Sequence, residues 1–245
     1  MKKMLCTICA ITLGTLLTYA QGDADKKTKK ATFATQIIHN SVAGFYPIFL
    51  GNFETNKDYS ITIYSIFWTN TSFGNLESGS DLLLETGAGL GFKFFDGAMF
   101  FNPSLGISSG KFSSDVSGTR IAEGLVPNIY VAYNKGLFDF EGYIAYYKSL
   151  RDGDNIQTKD YLLNWMAPGI NVGKRVVLGA FYESFGITRV EDVDDSALKI
   201  YQWLGGSIKL NLDNGINFRV SAGATLKTDA GTSDEFYKVA AFIPL

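Results

Sequence analysis

Residues 216–227 decide the fold class, and they read Ile-Asn-Phe-Arg-Val-Ser-Ala-Gly-Ala-Thr-Leu-Lys. Every second residue from Ile216 to Leu226 is apolar, and each residue between them is polar or glycine. Because successive side chains of a β-strand point to opposite faces, this alternation predicts a strand with one apolar and one polar face. Helical spacing at i, i+3 and i+4 does not fit the segment.

The same alternation recurs along the chain, and the connectors between its segments alternate in length. From residue 57 to the C-terminus, short connectors rich in Gly, Asn, Asp and Lys, the residue types of tight hairpins, alternate with longer polar ones, which predicts an up-and-down meander. We count twelve strands, with ten as the alternative, because the first two are less clearly marked. The predicted strands are 31–39, 44–55, 57–70, 80–96, 97–112, 120–135, 137–151, 158–174, 175–190, 198–213, 216–228 and 235–245.

The chain is 46% hydrophobic and only 19% charged, and this balance separates a membrane barrel from a soluble β-protein. The polar faces of the predicted strands carry Gly, Ser, Asn, aromatic residues and few charges, whereas a water-exposed face carries abundant Lys and Glu. An even strand count puts both termini on the tight-turn side, as in outer-membrane barrels. We therefore predict an all-β fold, a closed up-and-down antiparallel transmembrane β-barrel whose apolar face meets lipid.

The N-terminus has the pattern of an export signal. Lys2 and Lys3 precede an uncharged, mostly apolar run at 4–17, and Ala20 ends a small-residue cleavage site. The run is too short to cross a bilayer as a helix. We predict a cleaved signal peptide over 1–20, a polar N-terminal tail over 21–30, a single barrel domain over 31–245, and location in the bacterial outer membrane.

Several chemistries lack the residues they need. Both cysteines, Cys6 and Cys9, lie in the predicted signal peptide, so the exported chain has no disulfide, thiol nucleophile or Cys metal site. The net charge of −2 does not predict a basic surface that would bind nucleic acid. His39 is the only histidine, which leaves an outer-membrane lipid hydrolase as a remote alternative. We predict no catalytic residue, no metal, no cofactor and no enzymatic activity.

Four motifs carry a family resemblance. In chain order they are Gly44-Phe45-Tyr46-Pro47, Tyr64-Ser65-Ile66-Phe67-Trp68, Gly124-Leu125-Val126-Pro127-Asn128 and Tyr201-Gln202-Trp203-Leu204-Gly205. With them the chain resembles an uncharacterised family of small bacterial outer-membrane β-barrel proteins. The resemblance implies an exported single-domain barrel and carries over no functional residue.

If the apolar set faces lipid, the complementary set faces the lumen. The lumen-facing candidates are Glu85, Lys93, Asp139, Glu141, Glu183, Lys199, Tyr201, Trp203, Lys209, Arg219, Lys227 and Lys238. Two arrangements remain open: opposite charges pair across a narrow interior, or a basic wall over the last strands faces an acidic wall across a water-filled pore.

These features predict a passive channel or binding barrel for a small polar or anionic solute, with outer-membrane lipid as its surroundings. The alternative is a non-transporting structural or adhesive barrel whose extracellular loops meet partners. Nothing in the sequence identifies a protein partner.

Overall fold

The computed structural model describes residues 31–55, 58–68, 83–110, 113, 120–150, 157–191, 193, 197–227 and 233–245. The predicted signal peptide, the polar N-terminal tail and most of the longer connectors lie outside these residues. No helix in the described part of the chain is long and apolar enough to span a membrane.

Twelve strands form the described fold, which confirms the predicted count and makes the alternative of ten wrong. Their bounds agree with the sequence prediction to within about three residues at each end. The strands are β1 (Ala31–Asn40), β2 (Gly44–Glu54), β3 (Tyr59–Trp68), β4 (Leu83–Phe94), β5 (Met99–Gly110), β6 (Arg120–Lys135), β7 (Phe138–Ser149), β8 (Lys159–Val172), β9 (Val176–Val190), β10 (Leu198–Asn211), β11 (Asn217–Lys227) and β12 (Glu235–Pro244).

The strands close into a barrel in which each is antiparallel to its neighbours in sequence. The ring is completed by β1 and β12, which pair from Ala34 opposite Pro244 to Asn40 opposite Lys238. Closure leaves no strand with an open row of backbone donors and acceptors, as a lipid-exposed sheet requires. The predicted closed up-and-down antiparallel barrel is confirmed.

Four tight connections, after β4, β6, β8 and β10, lie together at one end of the barrel. Gly97, Gly136, Gly173 and Gly215 occupy them with φ between +60° and +85°, a region that residues with a Cβ adopt at a cost. We call this end the turn side, and the end with the longer connectors the loop side. Both termini of the barrel, at Ala31 and Leu245, lie on the turn side.

The two faces of the barrel have the opposite polarity to those of a soluble protein. Large apolar side chains on the outer face are exposed, as in Leu105 and Val220, each about half exposed. Buried side chains on the inner face include Glu85, Lys209 and Ser221. An extensive exposed apolar surface with buried charge inside matches a barrel surrounded by lipid.

The loop-side half of the interior is filled with aromatic side chains. Trp203 is 1% exposed and stacks between Tyr201 and Phe236, with ring centroids 4.1 Å and 4.8 Å away. Further buried clusters surround Tyr147 on β7 and Tyr46 on β2. We refer to the buried side chains around Trp203, Tyr147 and Tyr46 together as the aromatic layer.

Candidate binding cavity

A cavity of about 520 Å³ occupies the barrel interior from the aromatic layer to the turn side. Thr32, Asn52, Asn217 and Pro244 line it near the turn-side ends of their strands, and Trp68 and Tyr46 line it at the opposite end. Its volume falls within the range of cavities that hold small-molecule ligands. The cavity is therefore the candidate functional site.

One wall of the cavity is aliphatic and comes from the first three strands. Ile38 of β1, Ile48 and Leu50 of β2 and Ile66 of β3 line it. Residues 44–55 are apolar on both faces in the sequence, so alternation alone does not show which face of this strand is inward. The structure gives the reason, since one apolar face of β2 points outward and the other forms this wall.

The opposite wall carries a network of ion pairs close to the turn side. Lys209 Nζ donates to both carboxylate oxygens of Asp139 at 2.7 Å and to Glu141 Oε1 at 2.9 Å. Arg219 binds the same Glu141 with two donors, at 2.7 and 3.0 Å. Paired donors of this kind fix the geometry of both partners. The charges pair directly across the interior, which is the first of the two arrangements left open by the sequence.

The pairing requires space between strands that are not neighbours, because β7 is separated from β10 by β8 and β9. Asp139 is in hydrogen-bond register with Gly169 of β8, which in turn is opposite Gly179 of β9. The row continues to Ser207 and Ser221. This row of small residues leaves room for Lys209 and Arg219 to reach across to β7.

A second ion pair lies nearer the aromatic layer. Lys238 of β12 donates to Glu183 of β9, and Tyr201 Oη donates to the other oxygen of Glu183 at 2.8 Å. The Lys238 ammonium also lies 5.3 Å from the ring centroid of Phe181 and 5.7 Å from that of Trp165, within cation–π range. Glu183 is thus held by a cation and a phenol on the cavity wall.

Glu85 is fully buried inside the aromatic layer and is held by hydroxyl groups. Tyr64 Oη donates to Glu85 Oε1 at 2.8 Å, and Tyr147 Oη donates to Oε2 at 3.0 Å. Asn128 Nδ2 donates to Tyr64 Oη at 2.7 Å. These bonds join β3, β4, β6 and β7 across the inside of the barrel.

Glycines in β4 and β5 make room for this contact. A Cβ at Gly87 or at Gly106 would collide with the ring or hydroxyl of Tyr64. These two glycines therefore admit the large side chain of Tyr64 from β3.

The predicted lumen-facing residues fall into three groups. Asp139, Glu141, Lys209 and Arg219 meet in one network, Glu183, Tyr201 and Lys238 in another, and Glu85 and Trp203 lie in the aromatic layer. Lys93 is at the turn-side mouth, where it is exposed and pairs with Glu54 at 3.2 Å.

Two of the candidates, Lys199 and Lys227, do not face the lumen. A β-bulge at Ile200 places Lys199 opposite Gly186 on the outer face, and Lys199 Nζ donates to Ser184 Oγ at 3.1 Å. A second bulge, at Leu226, places Lys227 opposite Gln202, also on the outer face. Each bulge adds one residue and so reverses the alternation that the sequence prediction assumed. These two lumen assignments are wrong.

Other cavity residues were missing from the sequence prediction. Tyr64, Trp165 and Phe181 line the interior, but aromatic residues are common on either face of a strand. His39 lies on the outer face, with its ring stacked 5.5 Å from that of Tyr237. Among the described residues, no group of three or more His, Cys, Asp and Glu is placed to hold a metal ion.

Comparison with known proteins identifies the family. The model of a family of unknown function, DUF6733, matches residues 1–245. The chain belongs to this family. A search of curated proteins finds no match.

Two solved structures share the fold. One is the crystal structure of the COG4313 outer membrane channel from Pseudomonas putida F1, with a TM-score of 0.59 and 10% identity over 91% of this chain and 98% of that chain. The other is a NanC porin structure, with a TM-score of 0.52 and 8% identity over 87% of this chain and 100% of that chain. At these identities the likeness concerns the barrel architecture.

Proposed function

We propose that the protein is a bacterial outer-membrane barrel that admits a small solute through the turn side and binds it in the cavity during passage. The observation that carries this proposal is the cavity itself, which combines an aliphatic wall with a wall of fixed polar groups. The apolar outer face supports insertion in lipid, and outer-membrane barrels among the structural neighbours support the same location.

The walls of the cavity favour an uncharged or zwitterionic solute with an apolar face. Arg219 is paired with Glu141, and Lys238 is paired with Glu183, so these four side chains carry no net charge. A paired cation attracts an anion less than an isolated one, because its carboxylate partner offsets the field. This reasoning narrows the small polar or anionic solute expected from the sequence to a polar one without net charge. Binding and translocation do not call for enzymatic activity.

Passage requires the aromatic layer to open. Trp68 stacks on Tyr46 at 4.5 Å between ring centroids, at the loop-side limit of the cavity. Removing both rings by Trp68→Ala and Tyr46→Ala should widen the loop-side end of the cavity. Phe49→Ala and Phe67→Ala, a pair that contacts edge-on at 5.8 Å on the outer face of the same two strands, is the matched control.

The test is conductance and solute flux of the purified protein in planar bilayers and liposomes. We expect small conductance from the natural chain, a several-fold increase from the Trp68 and Tyr46 double variant, and no increase from the control pair. An uncharged solute should cross faster than an anion of equal size. If neither the natural chain nor the opened variant conducts or passes solute, the barrel is a non-transporting one. If the anion crosses faster, the proposed solute class is wrong.

A further inference from the structure

The outer face of the barrel carries a group of cations at the loop side of β7 to β11. Lys148, Arg189, Lys199 and Lys227 each lie within two residues of the loop-side end of their strand. We call these four residues the basic rim. Elsewhere the outer face is largely apolar, so the basic rim marks the level at which the barrel surface changes from apolar to charged.

The orientation of the basic rim depends on specific structural features. The bulges at Ile200 and Leu226 turn Lys199 and Lys227 outward, although the uninterrupted alternation would have placed both inside. Bulges of this kind re-aim side chains at the ends of strands. Without them, half of the basic rim would point into the lumen.

Asp160 of β8 holds the other two cations in place. It is buried, and it accepts hydrogen bonds from Lys148 Nζ and Arg189 Nε, each at 2.9 Å. The backbone N–H of Ser149 and the hydroxyl of Tyr146 complete its contacts at 3.0 Å. The Lys148 and Arg189 side chains remain 44% and 42% exposed, so both cations are oriented and still accessible.

The rest of the barrel lacks this feature. In the described residues, β1 to β5 contain one Lys or Arg, Lys93, which lies at the turn side. Ile37, Phe45 and Ile107 occupy outward positions towards the loop side of those strands. The described carboxylates near the basic rim are Asp160, which pairs with two of its cations, and Glu191, Asp234 and Glu235. Among the described side chains, outward-facing Lys and Arg at the loop side therefore lie on β7 to β11.

We infer that the basic rim is a binding site for the phosphate groups of a lipid headgroup in the loop-side leaflet. The acyl chains of such a lipid lie along the apolar outer face, and its phosphates reach the level of the strand ends, where Lys and Arg donate charge-assisted hydrogen bonds. Adjacent strands are about 4.8 Å apart and the rim extends over five of them, so its cations are spread too widely for a single phosphate group. A glycolipid with two phosphates fits this spread best. The inference rests on the membrane insertion proposed above and is independent of solute passage.

The experiment uses the full barrel in detergent micelles containing diphosphoryl lipid A, with retained lipid counted by native mass spectrometry. The test variant is Lys148→Gln, Arg189→Gln, Lys199→Gln and Lys227→Gln together. The control variant removes four cations at the turn side, by Lys93→Gln, Lys135→Gln, Lys174→Gln and Arg175→Gln. We expect at least a tenfold loss of affinity in the test variant and less than a twofold change in the control. Each cation near an anionic lipid surface contributes about a fivefold factor.

Four further measurements make the outcome decisive. Lipid A without phosphates should bind at least tenfold more weakly, and raising the salt concentration should weaken binding of the phosphorylated form. Equal binding of both forms would overturn the inference. Inorganic phosphate at millimolar concentration should not displace the lipid, and full displacement would make the rim a general anion site. Insertion of the test variant into phosphatidylcholine vesicles separates loss of lipid recognition from failure to enter a membrane.

Discussion

The loop-side and turn-side halves of the interior use the same inward-facing positions in different ways. At the loop side, Trp203 packs in one buried cluster and Tyr147 in another, and Tyr147 also donates a hydrogen bond to the buried Glu85. At the turn side, charged pairs line one wall, aliphatic side chains line the other, and about 520 Å³ lies between them. The difference shows that strand alternation determines which side chains enter a barrel, whereas their sizes and pairings determine whether the barrel is filled.

The largest expected effect comes from removing a side chain from the filled half. Trp203→Ala should lower the free energy of unfolding by about 3–5 kcal/mol, because it leaves a cavity in a layer with no room to relax. Leu50→Ala, on the aliphatic wall, should cost less than about 1.5 kcal/mol, since that side chain already borders open space. Urea unfolding of the barrel in lipid vesicles measures both. Equal costs would mean that the two halves are packed alike.

Breaking the ion-pair network should have the next largest effect. Glu141→Leu leaves Arg219 in the interior with no carboxylate partner from the pair that the structure shows, and Lys209 loses one of its two. Removing one partner of a buried pair costs about 3 kcal/mol or more, whereas replacing both is much less costly. The double variant Glu141→Leu with Arg219→Met should therefore regain most of the loss. If the double variant is as unstable as the single one, the network does not act as a pair.

A smaller effect is expected from the hydrogen bonds to Glu85. Tyr147→Phe keeps the packed ring and removes the donor to Glu85 Oε2, which should cost about 1–3 kcal/mol. Tyr130→Phe, on the neighbouring strand β6, is the control and should change stability by less than half as much. Comparing the two unfolding midpoints separates the value of the hydrogen bond from that of the ring. No difference between them would show that the carboxylate is satisfied without Tyr147.

The sequence predicts the barrel well because its information is local. The alternation in 216–225 identifies β11 and its two faces without reference to any other strand, and the glycines at the tight turns identify its neighbours. The same reasoning fails at Lys199 and Lys227, because a bulge adds a residue where the pattern of apolar and polar residues gives no sign of one. A prediction from alternation is reliable only up to the first irregularity in a strand.

The cavity could be predicted only in part. The residues of the ion-pair network are recognisable as inward-facing charges, but the contact of Lys209 with Asp139 spans 70 positions and depends on small residues in the strands between them. In the sequence, the aliphatic wall is recognisable only from the two apolar faces of residues 44–55. Which strands approach each other across a barrel depends on the barrel diameter and on the tilt of the strands. Neither quantity can be predicted from the sequence of a single strand.

The contacts across the interior also bear on how the barrel reaches one register. A slip of one residue between neighbouring strands exchanges the two faces and is excluded by the hydrophobic pattern, but a slip of two residues preserves it. Such a slip changes the shear of the barrel by two and moves β10 by about 7 Å along β9. It would separate Lys209 from Asp139, which lies on a strand that does not pair with β10. The ion pairs across the lumen thus distinguish the native shear from its nearest alternatives, a choice that neighbouring strands cannot make by alternation alone.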